Sequence, residues 1–201
     1  MLQTVGIPNV ADIVRHHGRT HPHRTAIHFE GTRISYGGLD ARASRVANAL
    51  IAAGVRPQAR VAVLAKNNPA FFELWFGAAK ANAVLVPVNF RLAPPEIAYV
   101  VNDAQAELLF VGADFHPAVA KIAHELKTVR AVIAIDGNHP DWVEYSAWLA
   151  QASPEDPDLP IHPGDCAIQM YTSGTTGHPK GAQLSHANLL NLLPGALRQF
   201  G

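Results

Sequence analysis

The chain has 201 residues, of which 48% are hydrophobic and 16% are charged, and its formal net charge is zero. This composition suits a globular domain with a sizeable core and excludes a disordered chain. A net charge of zero does not favour binding to nucleic acid or to an anionic membrane surface. No apolar run reaches 18 residues, and the first residues do not resemble a signal peptide. The single cysteine excludes an internal disulfide and favours the cytoplasm.

The predicted elements begin with a short helix, which Asn9 caps and Gly18 ends. Strands 25–29 and 33–36 then form a hairpin. Helices and strands alternate from there on: a helix from residue 39 that Gly54 ends, strand 61–64, a helix opened by Pro69, strand 83–88, helix 95–102, strand 107–111, helix 116–126, strand 131–135 and helix 141–149. Strands that are apolar on both faces and separated by helices indicate an α/β fold, with a largely parallel sheet covered by helices on both faces.

Residues 153–163 contain four prolines and three acidic residues, which favours an exposed linker. The predicted organisation is therefore an α/β subdomain over residues 1–152, a linker over 153–163, and a last part over 164–201. That last part holds strand 166–171, a glycine-rich segment and a helix capped by Ser185.

The glycine-rich segment, residues 171–181, reads Tyr-Thr-Ser-Gly-Thr-Thr-Gly-His-Pro-Lys-Gly. Its glycines let backbone N–H groups approach a ligand, and such groups together with hydroxyls form an anion site. Lys180 adds a charge suited to phosphate oxygens. The segment therefore predicts polyphosphate binding. A mobile linker is the competing interpretation, but it explains neither the Pro-Lys-Gly ending nor the preceding strand.

The spacing excludes two other phosphate loops. A Walker-type loop counted from Gly174 would place its second glycine at Pro179, and no Gly-x-Gly-x-x-Gly run occurs in the chain. Because Pro179 favours an extended backbone at His178, the segment should lead into a strand, which residues 181–185 can supply.

The glycine-rich segment resembles the signature of the acyl-adenylate-forming enzymes, which include acyl-CoA synthetases, luciferases and peptide-synthetase adenylation domains. The match over residues 171–181 is complete. Further stretches are similar to the family: 35–40, 60–64, 67–69, 83–92 and 185–188. The resemblance runs from about Asp12 to the C-terminus, and it implies the first, N-terminal subdomain of such an enzyme, most like the fatty-acid–CoA ligases.

The resemblance also implies the chemistry. A carboxylic acid, which is a fatty acid in this family branch, would react with ATP to give an acyl-adenylate and then with CoA to give a thioester. Lys180 would stabilise phosphate charge, and a threonine hydroxyl, that of Thr172 or Thr176, would contact Mg²⁺. The residues expected to wrap the phosphates are Thr172, Ser173, Gly174, Thr175, Thr176, Gly177 and Lys180. The implied partners are the acid, ATP and CoA, with no nucleic acid.

The chain departs from the family pattern at two turns and in length. Asn82 stands where the family usually carries glycine, and Gln58-Ala59 replaces the usual Gly-Asp. The family's later elements, which hold adenine, magnesium and ribose and supply a lysine for adenylation, lie beyond Gly201. We therefore expect this chain alone to be inactive. We also expect it to expose apolar surface to the remainder of the enzyme or to a second copy.

Two alternative functions stay open at this point. One is another adenylate-former, acting on an amino acid or an aryl acid; the other is a non-catalytic fragment. Among single residues, Cys166 is expected in the core, and the aromatic group 71–76 is expected to pack in the core rather than line an acyl pocket. The histidines between residues 16 and 23 indicate a solvated loop rather than a metal site. His186 is either a helix-start residue or a neighbour of the ligand.

Overall fold

The computed structural model describes residues 7–172 and 178–192. The helices with both ends in these ranges are α1 (Val10–Thr20), α2 (Tyr36–Ala52), α3 (Pro69–Lys80), α4 (Pro94–Asp103), α5 (His116–Ile122) and α6 (Tyr145–Ala150). The strands are β1 (Thr25–Phe29), β2 (Thr32–Ser35), β3 (Arg60–Leu64), β4 (Val84–Pro87), β5 (Ala106–Val111), β6 (Ala131–Ala134), β7 (Val143–Glu144), β8 (Cys166–Thr172) and β9 (Lys180–Ser185). A further helix begins at residue 186 and continues to the end of the described range.

Seven strands form one sheet in the order β7-β6-β5-β3-β4-β8-β9, while β1 and β2 form a separate hairpin. All neighbours in the large sheet are parallel except β8 and β9. The predicted α/β class with a largely parallel sheet is confirmed. From β3 the chain moves to β4 on one side and then to β5 on the other. Such a reversal creates a crevice at the carboxyl ends of the strands, where ligands of open α/β sheets bind.

Helices cover both faces of the sheet, as the doubly apolar strands predict. One face of β3, β4 and β5 packs against α2, α3 and α6, and the other packs against α4 and α5. Fully buried residues such as Val61 and Ala62 point to opposite sides of the same strand. The core is therefore two apolar layers separated by the sheet, and the strands that precede the candidate site are anchored in it.

Several predicted boundaries differ from the structure, among them that of the helix expected over 116–126, which ends at Ile122 and is followed by a 3-10 turn, Ala123–Glu125. Gly18 does not end α1, which continues to Thr20; a Cβ on Gly18 would lie 2.8 Å from Cβ of Asp40, so the glycine lets α1 approach α2. Helix α2 starts at Tyr36 rather than at residue 39, because the Ser35 side chain accepts a hydrogen bond from the Gly38 N–H at 3.1 Å and caps it.

The helix expected over 141–149 is divided into strand and helix. Val143 pairs with Ile133 of β6, so the chain stays extended as β7 before it turns into α6. A short edge strand of two residues has too few positions to show an alternating pattern, which is why the sequence favoured a longer helix. Another correction concerns His16 and His17, which lie within α1 rather than in a solvated loop.

Segment 153–163 contains neither helix nor strand, yet the structure fastens it to the helices. Its Asp156 carboxylate accepts hydrogen bonds from Lys80 Nζ and from Arg15 Nη2, both at 2.7 Å. Burial by itself would raise the pKa of Asp156, but the hydrogen bonds from Arg15 and Lys80 hold it well below its usual range. Asn48 also donates to the backbone oxygens of Ser153 and Glu155. The division of the chain into three parts at this segment stays a prediction.

Candidate phosphate-binding site

The two ends of the glycine-rich segment form the base of a β-hairpin. Strands β8 and β9 are antiparallel, and Thr172 lies directly opposite Lys180. The prediction that the segment leads into a strand is thus confirmed by β9. Five of the predicted phosphate-binding residues fall outside the described ranges: Ser173, Gly174, Thr175, Thr176 and Gly177. The roles predicted for all seven residues stay predictions.

The hairpin base lies at the ligand-binding edge of the sheet. Strand β8 runs parallel to β4, so Thr172 ends at the same edge as the loops that follow β3, β4 and β5. Thr172 and Lys180 are both exposed. None of the ion pairs formed within residues 7–172 and 178–192 includes Lys180. Its positive charge therefore faces solvent next to the strand end.

Gly181 permits a close crossing of side chains at the hairpin base. A Cβ at this position would lie 2.4 Å from Nε2 of Gln169 and 2.9 Å from Cζ of Tyr171, closer than atoms of a real side chain can approach. A side chain at this position would make Gln169 and Tyr171 shift, so the glycine lets these two side chains cross the hairpin base. Its close approach is a tertiary feature that sequence reasoning missed.

The first residue of the segment, Tyr171, is held by a polar contact with α4. Its hydroxyl donates to Oδ2 of Asp103 at 2.5 Å and accepts a hydrogen bond from Nε2 of Gln169 at 3.0 Å. Burial raises the pKa of Tyr171 first, and the bond to Asp103 raises it further, so the hydroxyl stays protonated and remains a donor.

A second residue of α4 supports the other strand of the hairpin. The Tyr99 hydroxyl donates to the Pro179 oxygen at 3.3 Å, and the Tyr99 ring stacks on His178 with 5.0 Å between ring centroids. Tyr99 and Asp103 are four residues apart and so share one face of the helix. Sequence reasoning missed both. The available signal was this polar pair at helical spacing on a helix whose other face is apolar.

Magnesium fits the oxygen chemistry of the site. The described residues include no group of three or more His, Cys, Asp or Glu side chains placed to hold a metal. The hydroxyl of Thr172 is a hard oxygen ligand of the kind that Mg²⁺ accepts beside phosphate oxygens. Thr172 would therefore be a single protein ligand to an ion held mainly by the nucleotide. Thr176, the other predicted ligand, lies outside the described residues.

The backbone of Cys166 takes part in hydrogen bonding, and its thiol is not fully exposed. It is partly buried, burial raises the pKa of its thiol, and its N–H donates to Oε1 of Gln58 at 2.9 Å. Such a thiol is a weak nucleophile, but Cys166 is only half-buried and lies outside the buried core in which it was expected. The aromatic group 71–76 is divided, since Phe71 and Trp75 pack against the core whereas 40% of Phe72 is exposed.

His186 connects the hairpin region to α1. It is fully buried where the helix after β9 begins, and its Nδ1 accepts a hydrogen bond from the Val10 N–H at 3.1 Å. Burial lowers the pKa of His186, against the opposite effect of Asp165 and Asp12. The structure thus favours the helix-start interpretation over contact with a ligand.

No described helix is both long enough and apolar enough to cross a membrane.

Residues 14–199 match the AMP-binding enzyme family, and the chain therefore belongs to that family. A feruloyl-CoA synthase from Amycolatopsis sp. is 40% identical over 171 residues, covering 85% of this chain and 32% of that protein. The long-chain-fatty-acid–CoA ligase FadD13 of Mycobacterium tuberculosis is 35% identical over 160 residues, covering 78% of this chain and 30% of that protein. The chain thus spans about a third of the length of these curated relatives.

The similarity extends to the fold. The crystal structure of the anthranilate CoA ligase AuaEII in complex with anthranoyl-AMP superposes with a TM-score of 0.85 at 27% sequence identity. The superposition covers 89% of this chain and 35% of that one. The resemblance inferred from the glycine-rich segment is therefore confirmed at the level of the family, whose matched relatives are acyl-CoA ligases.

Proposed function

We propose that the protein takes part in acid–thiol ligation, in which a carboxylic acid is activated with ATP and transferred to CoA. The observation that carries the proposal is the complete glycine-rich segment spanning a hairpin base, with Thr172 opposite Lys180 at the ligand-binding edge of the sheet. That position brings the Thr172 hydroxyl and the full positive charge of Lys180 to one place, at the two ends of a glycine-rich sequence. Such groups together suit polyphosphate binding.

The proposed reaction overcomes the poor electrophilicity of a carboxylate. A carboxylate oxygen attacks the α-phosphorus of ATP, the bond to the β-phosphate breaks, and pyrophosphate leaves. The resulting acyl-adenylate is attacked at its acyl carbon by the CoA thiolate, and AMP leaves. Lys180 and the N–H groups of residues 172–177 stabilise the charge on the phosphates. Magnesium, which the hydroxyl of Thr172 or Thr176 would help to hold, would supply further positive charge.

A fatty acid is our first candidate for the acid, supported by the Val-Asn-Phe-Arg-Leu run at residues 88–92 and by the similarity to FadD13. An aryl acid is the second candidate, because the feruloyl-CoA synthase is 40% identical and the superposed ligase carries anthranoyl-AMP. An amino-acid substrate and a non-catalytic role remain the further alternatives. A cytoplasmic location, suited to a chain with one cysteine, is part of the proposal.

Carboxylate-dependent exchange of pyrophosphate into ATP tests this function. Purified protein is assayed with a panel of fatty, aryl and amino acids, and its affinity for MgATP is measured by calorimetry, beside Lys180→Ala and a matched control, Lys127→Ala. Lys127 is an exposed lysine that precedes β6, at the opposite edge of the sheet from the hairpin base. Because this chain alone is expected to be inactive, we expect no exchange from it; exchange that Lys180→Ala abolishes would instead show that it adenylates and would identify the class of acid. Lys180→Ala should bind MgATP at least tenfold more weakly than the wild type because a phosphate contact is missing, and Lys127→Ala should bind it as well as the wild type does. Equal MgATP affinity in Lys180→Ala and the wild type would refute the proposal.

A further inference from the structure

The two turn residues that depart from the family pattern contact each other. Gln58 precedes β3 and Asn82 precedes β4, and both have a left-handed backbone, with φ of 65° and 52°. Glycine adopts this conformation without strain, whereas a residue with a side chain does not. The side chains at these positions therefore incur a conformational cost that their contacts must offset.

Gln58 and Asn82 form several hydrogen bonds with each other. The backbone N–H of Gln58 donates to the Asn82 carbonyl oxygen at 2.6 Å, and Nε2 of Gln58 donates to Oδ1 of Asn82 at 2.9 Å. Asn82 is buried. The two turns at the amino ends of β3 and β4 are thus joined through a side chain that glycine lacks.

The same pair holds the first residue of β8. The side-chain amide of Gln58 forms hydrogen bonds with both backbone groups of Cys166. Its Oε1 accepts from the Cys166 N–H at 2.9 Å, and its Nε2 donates to the Cys166 carbonyl oxygen at 3.2 Å. Asn82 Nδ2 donates to Oδ2 of Asp165 at 3.0 Å and to the Pro160 oxygen at 3.3 Å. Gln58 therefore binds the backbone where β8 begins, much as a neighbouring strand would. Asn82 binds the segment just before β8 through the Asp165 side chain and the Pro160 carbonyl.

Strand β8 has a short backbone ladder on this side. Its parallel register with β4 consists of one pair, Leu85 with Ile168, whereas β3 pairs with β4 at four positions. Ala167 and Ile168 are buried in the core and hold the strand against the sheet, but so short a ladder fixes its position along its own axis less firmly than the four pairs fix β4. Side-chain contacts at its start consequently decide how far its other end, Thr172, extends at the ligand-binding edge.

Polar contacts continue from the pair toward the hairpin base. Arg60 Nη1 donates to the Gln58 carbonyl oxygen at 3.1 Å, and its Nε reaches Oε1 of Gln169 at 3.4 Å. Gln169 in turn donates to the Tyr171 hydroxyl. Both ends of β8 are therefore connected to β3 through side chains.

We infer that Gln58 and Asn82 are positioning residues, a side-chain clamp that fixes β8 along its axis and thereby places the phosphate-binding hairpin. The inference rests on the proposed function for its role in ATP binding. The clamp stands at the amino end of the strand and touches no substrate. It acts through Cys166 and the rigid length of β8, so its expected effect is on ATP affinity rather than on affinity for the acid.

Glycine substitutions test the clamp without disturbing the turns. Gln58→Gly and Asn82→Gly remove the side chains but keep a residue that adopts positive φ. Gln105→Gly is the matched control, because Gln105 also has a left-handed backbone, with φ of 54°, and precedes β5 at an exposed position. Amide hydrogen exchange is measured for Cys166, Tyr171 and Gly181, and the KM for ATP is measured in pyrophosphate exchange.

We expect the Cys166 amide to exchange about tenfold faster in both clamp variants, with faster exchange also at Tyr171 and Gly181. The KM for ATP should rise about fivefold while the KM for the acid stays unchanged, and the double variant should add little to either single one. Gln105→Gly should alter none of these quantities.

Two results would overturn the inference. An unchanged Cys166 amide would mean that no clamp exists, and faster exchange limited to Cys166 would mean that the contact does not reach the hairpin. If this chain alone shows no pyrophosphate exchange, as expected, the Kd for MgATP measured by calorimetry takes the place of the KM for ATP. Amide exchange is measured without ATP, so it decides about the clamp in either case. Absence of MgATP binding by the wild-type protein would count against the proposed function alone.

Discussion

The central strands β3 to β6 and the hairpin β8–β9 belong to one sheet but are stabilised by different interactions. Strand β3 is paired on both sides, at four positions with β4 and at five with β5, and four of its five residues are buried. Strand β8 pairs with β4 at Leu85 and Ile168, and its last residues are exposed or half-buried. Backbone ladders and apolar burial hold the centre, whereas specific polar side chains hold the hairpin.

The difference predicts how each region responds to substitution. Apolar burial and buried charge act on the whole fold, so changes in the helical layers should lower the free energy of unfolding. Single polar contacts contribute about 1 kcal/mol each, so changes around the hairpin should alter local protection and ligand affinity with little effect on global stability.

The largest expected effect is that of Lys80→Ala in α3. Lys80 is 0% exposed, and its ammonium binds Asp40 at 2.6 Å and Asp156 at 2.7 Å. Its removal leaves the partly buried Asp40 carboxylate without the ammonium that it binds, leaves Asp156 with Arg15 alone and opens a cavity, which should lower the free energy of unfolding by about 3 kcal/mol. Urea denaturation measures this loss.

The control for that prediction is Lys66→Ala. Its ion pair with Asp114 has the same length, 2.7 Å, but both side chains are more than half exposed. Exposed pairs contribute at most about 1 kcal/mol, so the control should unfold near the wild-type urea concentration. Similar losses in the two variants would contradict the assignment of Lys80 as a buried anchor of segment 153–163.

A smaller effect is expected for Gly77→Ala, where α3 crosses α2. A Cβ at Gly77 would lie 2.4 Å from Cβ of Val46 and 2.9 Å from the Ala43 oxygen. Forcing the helices apart should cost about 2 kcal/mol, measured as a lower thermal midpoint. The double variant with Val46→Ala should recover part of the loss, because it removes the nearest clash. No recovery would mean that the contact with the Ala43 backbone dominates.

Sequence patterns were sufficient for the central sheet because burial on both faces leaves a local signature. The apolar runs at β3, β4 and β5 predicted those strands to within one residue at each end. Composition also identified the glycine-rich segment and the strand after it. Gly18 was misinterpreted because a glycine that ends a helix and one that lets another helix approach look alike in sequence.

The supports of the hairpin escaped prediction for a related reason. Tyr99 and Asp103 lie far from the segment in sequence, Gln169 lies just before it, and each is an ordinary residue in its own element. Their importance comes from contacts across the fold, which no local pattern records. The same is true of Gln58 and Asn82, which were noted only as departures at turns.

Tyr171→Phe tests the hairpin side of the comparison. The substitution keeps the ring but removes the hydroxyl that donates to Asp103 and accepts from Gln169. Loss of these bonds should cost about 1 kcal/mol locally, seen as a fivefold weaker affinity for MgATP by calorimetry, with a thermal midpoint close to that of the wild type. A large drop in the midpoint with unchanged affinity would show that Tyr171 serves the core instead.

Tyr99→Phe provides the matched control for that experiment. Its hydroxyl bond to the Pro179 oxygen is longer, 3.3 Å, and the ring can still stack on His178 after the substitution. We therefore expect a smaller loss of MgATP affinity than for Tyr171→Phe. The opposite order would place the main support of the hairpin on β9 rather than on β8.

The smallest expected effect concerns pH and His186, which connects the end of the hairpin to α1. Burial lowers its pKa in the folded protein, so the unfolded chain binds more protons and stability is lost as pH falls below the unfolded value of about 6.5. Protonation of Nδ1 also removes the acceptor for the Val10 N–H. The free energy of unfolding should fall by less than about 1 kcal/mol between pH 7.5 and 5.5.

Thermal midpoints over this pH range should fall less in His186→Gln than in the wild type. Burial also lowers the pKa of His17 in α1, so His17→Gln serves as the comparison. If the thermal midpoint falls equally with pH in His186→Gln and in the wild type, the pH dependence is assigned to α1 alone.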